Sequence, residues 1–314
     1  MTAYIIRRLL LMVPVALLVS IIIFTLLRLT PGDPIRTLLG EDPDPQTIIA
    51  LRHEYGLDRP VPLQYVAWLG RALHGDLGRS LRSRQPVVEA ITERLPATLE
   101  LGLAAIIFSL LISVPVGILS ATRRNSFWDL LATGVTLLGV SIPNFFLGIV
   151  LILTLALVAR LFPPGGYVPF IQDPGQNLKR LVLPTIALGT ASMAVNMRLL
   201  RSTLLDALGQ EYTRVARAKG LAERDVIVRH ALKNALIPFV TVVGLQVGAI
   251  LEGAFITESL FLWPGVGRLA VDSIGGRDYP VVQAIVLLSS LSFLGANLLV
   301  DLLYAYLDPR IKYS

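Results

Sequence analysis

The 314-residue chain has no cysteine, three histidines and four lysines. Without cysteine there is no disulfide, no thiolate metal site and no thiol nucleophile. His53, His74 and His230 fall in different regions. His53-Glu54 lacks a second histidine four residues on, so no zinc-protease pattern forms and no metal cluster is expected. None of Lys179, Lys219, Lys233 and Lys312 stands in a Gly-Lys-Ser/Thr context, which excludes a phosphate-binding loop of that kind. A Gly-x-Ser-x-Gly elbow is also missing. No catalytic residue and no bound cofactor is therefore expected in this chain. Charge is scarce too: 16% of residues are charged, against about a quarter in a soluble domain.

What is present is apolar, 54% of the chain, and it comes in long blocks rather than a periodic scatter. Such blocks predict an all-α integral membrane protein. Residues 9–27 are uncharged, follow Arg7-Arg8 and are long enough to span. No small-x-small cleavage site follows them, so an uncleaved first span is expected rather than a signal peptide. Further spans are read at 101–121, 130–159, 181–197, 237–256 and 279–300. The block at 130–159 is too long for one straight crossing and contains Ser141-Ile-Pro143-Asn144, which would kink it, so tilt, a kink or an extension outside the membrane is expected. Gly244 and Gly248 stand at GxxxG spacing, a signature of close helix packing.

Six spans put both termini on one side, and charge assigns the side. The short connections 122–129, 198–236 and 307–314 hold twelve Lys or Arg, and Arg7-Arg8 add two. Connections 160–180 and 257–278 hold five. Cytoplasmic termini in the plasma or inner membrane follow, the basic excess reflecting orientation and lipid contact rather than nucleic acid. The expected organisation is residues 1–29 as N-terminus and first span, 30–96 as a large extracellular loop, and 97–314 as the membrane core.

The loop at 30–96 is polar and rich in Pro and Gly. Asp44-Pro45 reads as a helix start and Gly56 as its stop. Pro62 and Gly75 bracket a second helix, and Gly75-Asp-Leu-Gly-Arg-Ser80 is rich in turn residues. Val87, Val88, Ile91 and Leu95 mark one face of a short helix leading into the membrane.

Residues 206–238 form a charged stretch set between two spans. It reads as two short helices broken at Gly220. The first has Asp206 and Glu211 early and Arg217 and Lys219 late; the second has Glu223 and Asp225 early and Arg229, His230 and Lys233 late. Tyr212, Val215 and Ala216 share a face of the first helix. Two readings stand: a segment built to dock on a partner, or a loop resting on lipid headgroups.

Polar groups inside spans are costly and single out Asn144, Asn196, Gln246 and Glu252 as candidates for lining a pathway. For the amides the alternative is an interhelical hydrogen bond. Trp263 and Phe261 suit an interfacial belt, and Pro264-Gly265 a turn or re-entrant gate.

The words EYTRVARAKGL and RHALKNALIP, within 206–238, resemble the EAA loop of ABC-importer permeases in its oligopeptide/dipeptide permease form. The general Glu-Ala-Ala positions are Arg214, Val215 and Ala216 here, a departure from the general pattern. Pro31-Gly-Asp-Pro34, Tyr55-Gly-Leu-Asp58 and Gly75-Asp-Leu-Gly78 are similar to that family's first extracellular loop. The segments from Glu258 to Arg268 and from Tyr306 to Arg310 extend the resemblance over nearly the whole chain. The resemblance implies coupling helices that seat on an ATPase, with Glu211, Ala216, Arg217, Ala218, Lys219, Gly220, Leu221 and Arg224 as the coupling residues. It also implies a second homologous permease as heterodimer partner, two ATP-binding subunits carrying ATP and Mg, and an extracellular or periplasmic substrate-binding protein. The first loop would face that binding protein, or serve only as a lid on the bundle. The competing function is a solitary secondary transporter or channel. It would need buried charges as a relay, and the spans read here are nearly charge-free.

Overall fold

A computed structural model describes residues 2–30, 35, 44–250 and 254–307. Among them there is no β-strand; one isolated antiparallel bridge joins Arg79 and Pro86. The chain divides into two compact units, residues 1–98 with 264–294, and residues 99–263 with 295–314. Among the described residues five helices are long and apolar enough to cross a membrane, and a sixth is reached if the bent pair 127–141 and 144–158 counts as one span.

In the first unit, α1 (Thr2–Leu29) carries exposed leucines along most of its length, among them Leu10 and Leu18. A helix this apolar with so little buried needs an apolar solvent, which lipid supplies. Helix α2 (Pro45–Glu54) starts as the sequence predicts: Asp44 accepts the Thr47 amide at 3.1 Å and Pro45 occupies the first turn. It ends at Gly56, whose φ is +64°. Helix α3 (Val61–Leu73) packs Trp68 and Tyr65 around Phe24 of α1, with ring centroids 5.9 and 5.3 Å from it. The turn that follows is tied down by Asp278, which accepts from the Ser80 hydroxyl and, at 2.9 Å, from the Leu81 amide. Helix α4 (Val87–Thr92) buries Val87 and Ile91 as expected, but Val88 is 41% exposed and lies off that face.

In the second unit, α5 (Leu95–Thr122, from Leu99 onward), α6 (Phe127–Ser141) and α7 (Asn144–Leu151) come first. The predicted kink is larger than a kink. Pro143 has no amide to continue the ladder and α6 stops at Ser141; the chain turns by 103° before resuming at Asn144. The resumed helix widens into a π-helix over Ile152–Val158. Helix α8 (Pro174–Leu208) packs against both α6 and α7. It runs eleven residues past the expected span end at 197, so Asp206 belongs to its last turn and not to the short helix after it. Side-chain solvation set the expected boundary, whereas backbone hydrogen bonding sets the real one.

Helix α9 (Glu211–Ala218) is the first short helix of the 206–238 stretch. The second is not separate. It begins as α10 (Glu223–Asp225), continues as a π-helix over Val226–Ala231, and runs directly into α11 (Leu232–Gly248). Arg229, His230 and Lys233 therefore lie inside a continuing helix rather than at an end. Helices α12 (Phe255–Leu260), α13 (Val266–Gly275) and α14 (Tyr279–Leu307) complete the chain. The GxxxG reading holds at Gly244: a Cβ there would lie 2.4 Å from Val300 Cγ2 of α14, so any larger residue forces Val300 or its helix to shift.

Candidate functional site

The 206–238 stretch is built around one turn. After α9, the Gly220 amide donates to Arg217 O at 2.9 Å and the Leu221 amide to Ala216 O at 3.4 Å. This crossed pair is a Schellman closure, which needs a left-handed residue at the position of Gly220; its φ is +79°. Open space surrounds the site of a Cβ, so the demand for glycine is conformational and not steric. Arg217 then bridges the turn, donating to Glu223 from Nε at 3.0 Å and from Nη2 at 2.8 Å. That contact holds the Arg217 guanidinium pKa above its ordinary value. The pair is largely exposed, so it contributes well under about 1 kcal/mol and serves to set geometry.

Helix α9 has two faces. Thr213 and Ala216 turn inward, and the Thr213 hydroxyl bonds Gln210 O at 2.6 Å and Leu208 O at 2.9 Å. Tyr212, Val215 and Leu221 face out at 39%, 51% and 42% exposure. The expected grouping of Ala216 with Tyr212 and Val215 therefore splits. Glu211, Arg217, Ala218, Lys219 and Arg224 are exposed around the same turn.

A second locus lies in the core of the second unit. Asn144 and Gln246 line a cavity of about 150 Å³, together with Ser192, Gly102 and Ile250. Asn144 comes to it because the α6–α7 break places it at a helix start. Asn196 does not line the cavity. It is 1% exposed and exchanges two hydrogen bonds of 3.0 Å with Gln246, while also donating to Ser109 at 3.0 Å. Asn196 thus joins α5, α8 and α11. Glu252 lies outside the described residues.

One cluster escaped the sequence reading. Asp129, whose side chain is 4% exposed, receives Arg201 Nε at 2.7 Å and Nη2 at 2.9 Å. The Ser120 hydroxyl donates to it at 2.5 Å and the Asn125 amide at 2.9 Å. Ends of α5, α6 and α8 are thereby pinned together, and Arg201 stands on the helix that leads into α9. The two residues are 72 positions apart, each just outside an apolar block, so no local pattern pairs them. The Ser126 cap on the Asp129 amide is the one sequence signal, and it marks a helix start only.

Trp263 and Phe261 are not a belt. They are 0% and 1% exposed, packed inside the protein. Trp263 meets the Tyr167 ring edge-on at 4.7 Å, and the Gly166 amide donates to Phe261 O at 2.8 Å. Tyr167 donates in turn to Glu100 at 3.0 Å, and burial followed by that carboxylate pushes its phenol up to about 12.

Comparison with known proteins agrees with this architecture. Residues 113–313 match the family of binding-protein-dependent transport system inner membrane components, and residues 1–102 match the N-terminal part of such membrane components. The chain is 43% identical to a dipeptide transport system permease protein of Alkalihalophilus pseudofirmus and 42% identical to one of Escherichia coli K12, covering all of both chains in each case. It is 40% identical, again over full length, to a putative peptide transport system permease protein of Brucella abortus. Among solved structures, an amino acid ABC transporter with histidines aligns with a TM-score of 0.53 at 17% identity, over 70% of this chain and 94% of that one; it speaks to the fold. The chain is a multi-pass membrane protein and belongs to the family of binding-protein-dependent transport system inner membrane components.

Proposed function

We propose that this chain is one half of the transmembrane pathway of an ATP-driven importer for short peptides, coupled to separate ATPase subunits. The observation that carries the reading is α9 with its closing turn, where Tyr212, Val215 and Leu221 are exposed; the Gly220 turn closes the helix, and it stands between α8 and the helix that runs into α11. Exposed apolar groups on a rigid, charged-rimmed helix suit a protein groove. The peptide class comes from the names of the relatives, and the full-length identity supports carrying it across.

In this reading Glu211, Ala216 to Leu221 and Arg224 seat on an ATP-binding subunit, which holds ATP and Mg. The chain itself catalyses nothing and carries no cofactor. A second, homologous permease completes the pathway, a second ATP-binding subunit serves it, and a binding protein delivers substrate from outside. Asn144 and Gln246 line this chain's part of the pathway with Asn196 bracing Gln246, and Glu252 is retained as a further lining residue. The arginine distribution supports placing both termini and residues 206–238 in the cytoplasm, with residues 30–96 outside. Residues 1–29, 30–96 and 97–314 then act as anchor, external loop and pathway core. Closure of the ATPases moves α9 as a lever, and α8 and α11 carry the motion into the bundle.

The test is affinity purification of the chain from native membranes in mild detergent, with mass spectrometry of its companions. A second permease and ATP-binding subunits are the predicted result. A chain recovered alone, or only with itself, contradicts the reading.

A further inference from the structure

Within the first unit, α2, α3, the turn after α3 and the two span ends around Arg28 and Tyr279 enclose a cavity of about 430 Å³. That volume lies in the range of small-ligand sites. Four arginines line it, Arg28, Arg59, Arg71 and Arg79, and among the described residues no carboxylate does. Four like charges around one space repel each other, and an anion relieves that repulsion. One of the four is held in place. Arg28 Nε donates to Gln64 Oε1 at 2.9 Å, and its guanidinium carbon sits 3.4 Å from the centroid of the Phe24 ring.

An independent observation points the same way. Trp68 and Gln283 also line the cavity, at 5% and 2% exposure. Trp68 Nε1 and Gln283 Nε2 have no hydrogen-bond partner among the described residues. Both atoms are donors, and buried donors ordinarily find acceptors. A site that combines guanidinium groups, two unspent donors and an indole wall suits an organic anion: the forks bind its oxygens and the ring covers its body.

We propose that this cavity is an anion-recognition site that takes the carboxylate of a small molecule. Its natural occupant is the C-terminal carboxylate of a short peptide, a clause that rests on the peptide reading above. The site would engage substrate on this chain itself.

The full chain in phosphatidylcholine nanodiscs is titrated by calorimetry with N-acetylalanine, N-acetylalanine amide, dialanine and inorganic phosphate. The acid is expected to bind, and the amide at least about tenfold more weakly, since it lacks the charge that the guanidinium groups pair. Arg59 and Arg71 are exposed and hold no part of the core, so Arg59→Ala with Arg71→Ala leaves the fold intact by circular dichroism. That variant is expected to lose at least about tenfold in affinity for the acid, with Arg59→Lys and Arg71→Lys intermediate because charge remains and the fork is gone. Equal binding of acid and amide, or unchanged binding in the alanine variant, overturns the proposal. So does binding of phosphate alone, or competition by phosphatidylglycerol that abolishes binding of the acid; either result assigns the site to a phosphate or a lipid headgroup. Binding of the acid but not of dialanine leaves the carboxylate site standing and removes its peptide clause. A wild-type chain that supports no peptide uptake in cells, yet binds the acid, separates failure of the peptide reading from failure of the site.

Discussion

Asp129 is the residue at which a single change should cost most. Its carboxylate takes four hydrogen bonds from Arg201, Ser120 and Asn125, so Asp129→Ala leaves Arg201 without its counter-ion. Removing one partner of a buried pair costs about 3–5 kcal/mol, and the 30% exposure of Arg201 places this case near or below the lower end. Thermal unfolding in nanodiscs should show Asp129→Ala and Arg201→Met each strongly destabilised, with a double variant little worse than either. Additive losses would mean that the pair is not a unit. Asn196 is a milder case. Asn196→Leu strands the Gln246 amide and is expected to cost about 0.6–2 kcal/mol by the same measurement, the range of interhelical hydrogen bonds in membranes. A loss too small to measure would assign Gln246 to the cavity alone. These two sites also differ in legibility. Asn196 and Gln246 stand out as amides within apolar blocks, so sequence alone singles them out. Asp129 and Arg201 sit at block edges, where charge is ordinary, and only the packing of α6 on α8 reveals them as one cluster.

At the scale of the element, the turn at Gly220 is where local sequence and structure agree most closely. A glycine following Arg217 and Lys219 reads as a helix stop, and its +79° φ is what a Schellman closure requires. Gly220→Val should therefore strain the turn by about 1–2 kcal/mol through its backbone alone, since the added Cβ meets no neighbour. The expected outcome is normal membrane insertion with ATP hydrolysis no longer matched to uptake; unchanged transport by the variant would count against a coupling role. Gly244→Leu tests a different element property. It forces bulk against Val300, and overpacking of this kind costs about 1–3 kcal/mol in thermal stability. Caps, stops and the spacing of small residues were readable because each is a local demand on one or a few positions. A helix end marked only by a change from charged to apolar residues is not. The charge pattern ends the second loop helix near Lys233, where charge gives way to apolar residues. The backbone runs on from Glu223 through the π-helix into α11, because exposed charged side chains do not interrupt a hydrogen-bond ladder. Trp263 and Phe261 illustrate the same limit. Aromatics near a span end suit the lipid interface equally well as a chain-internal contact, and their partners Tyr167 and Gly166 lie about a hundred residues upstream.

For the molecule as a whole, the broad exposed apolar faces of its long helices and the short polar α9 describe a protein that works with lipid around it and other chains against it. Fold class and the six apolar blocks follow from composition and block length, while the 103° break between α6 and α7 exceeds anything a single proline announces. In the proposed mechanism α9 delivers motion from an ATPase to the bundle. Because the chain has no cysteine, a single Val215→Cys substitution carries a unique label without altering any other position. A short photoactivatable cross-linker placed there in native membranes should capture an ATP-binding subunit, and the yield should change when ATP is added. Adducts to lipid alone, or to a second copy of this chain, would contradict that role for α9.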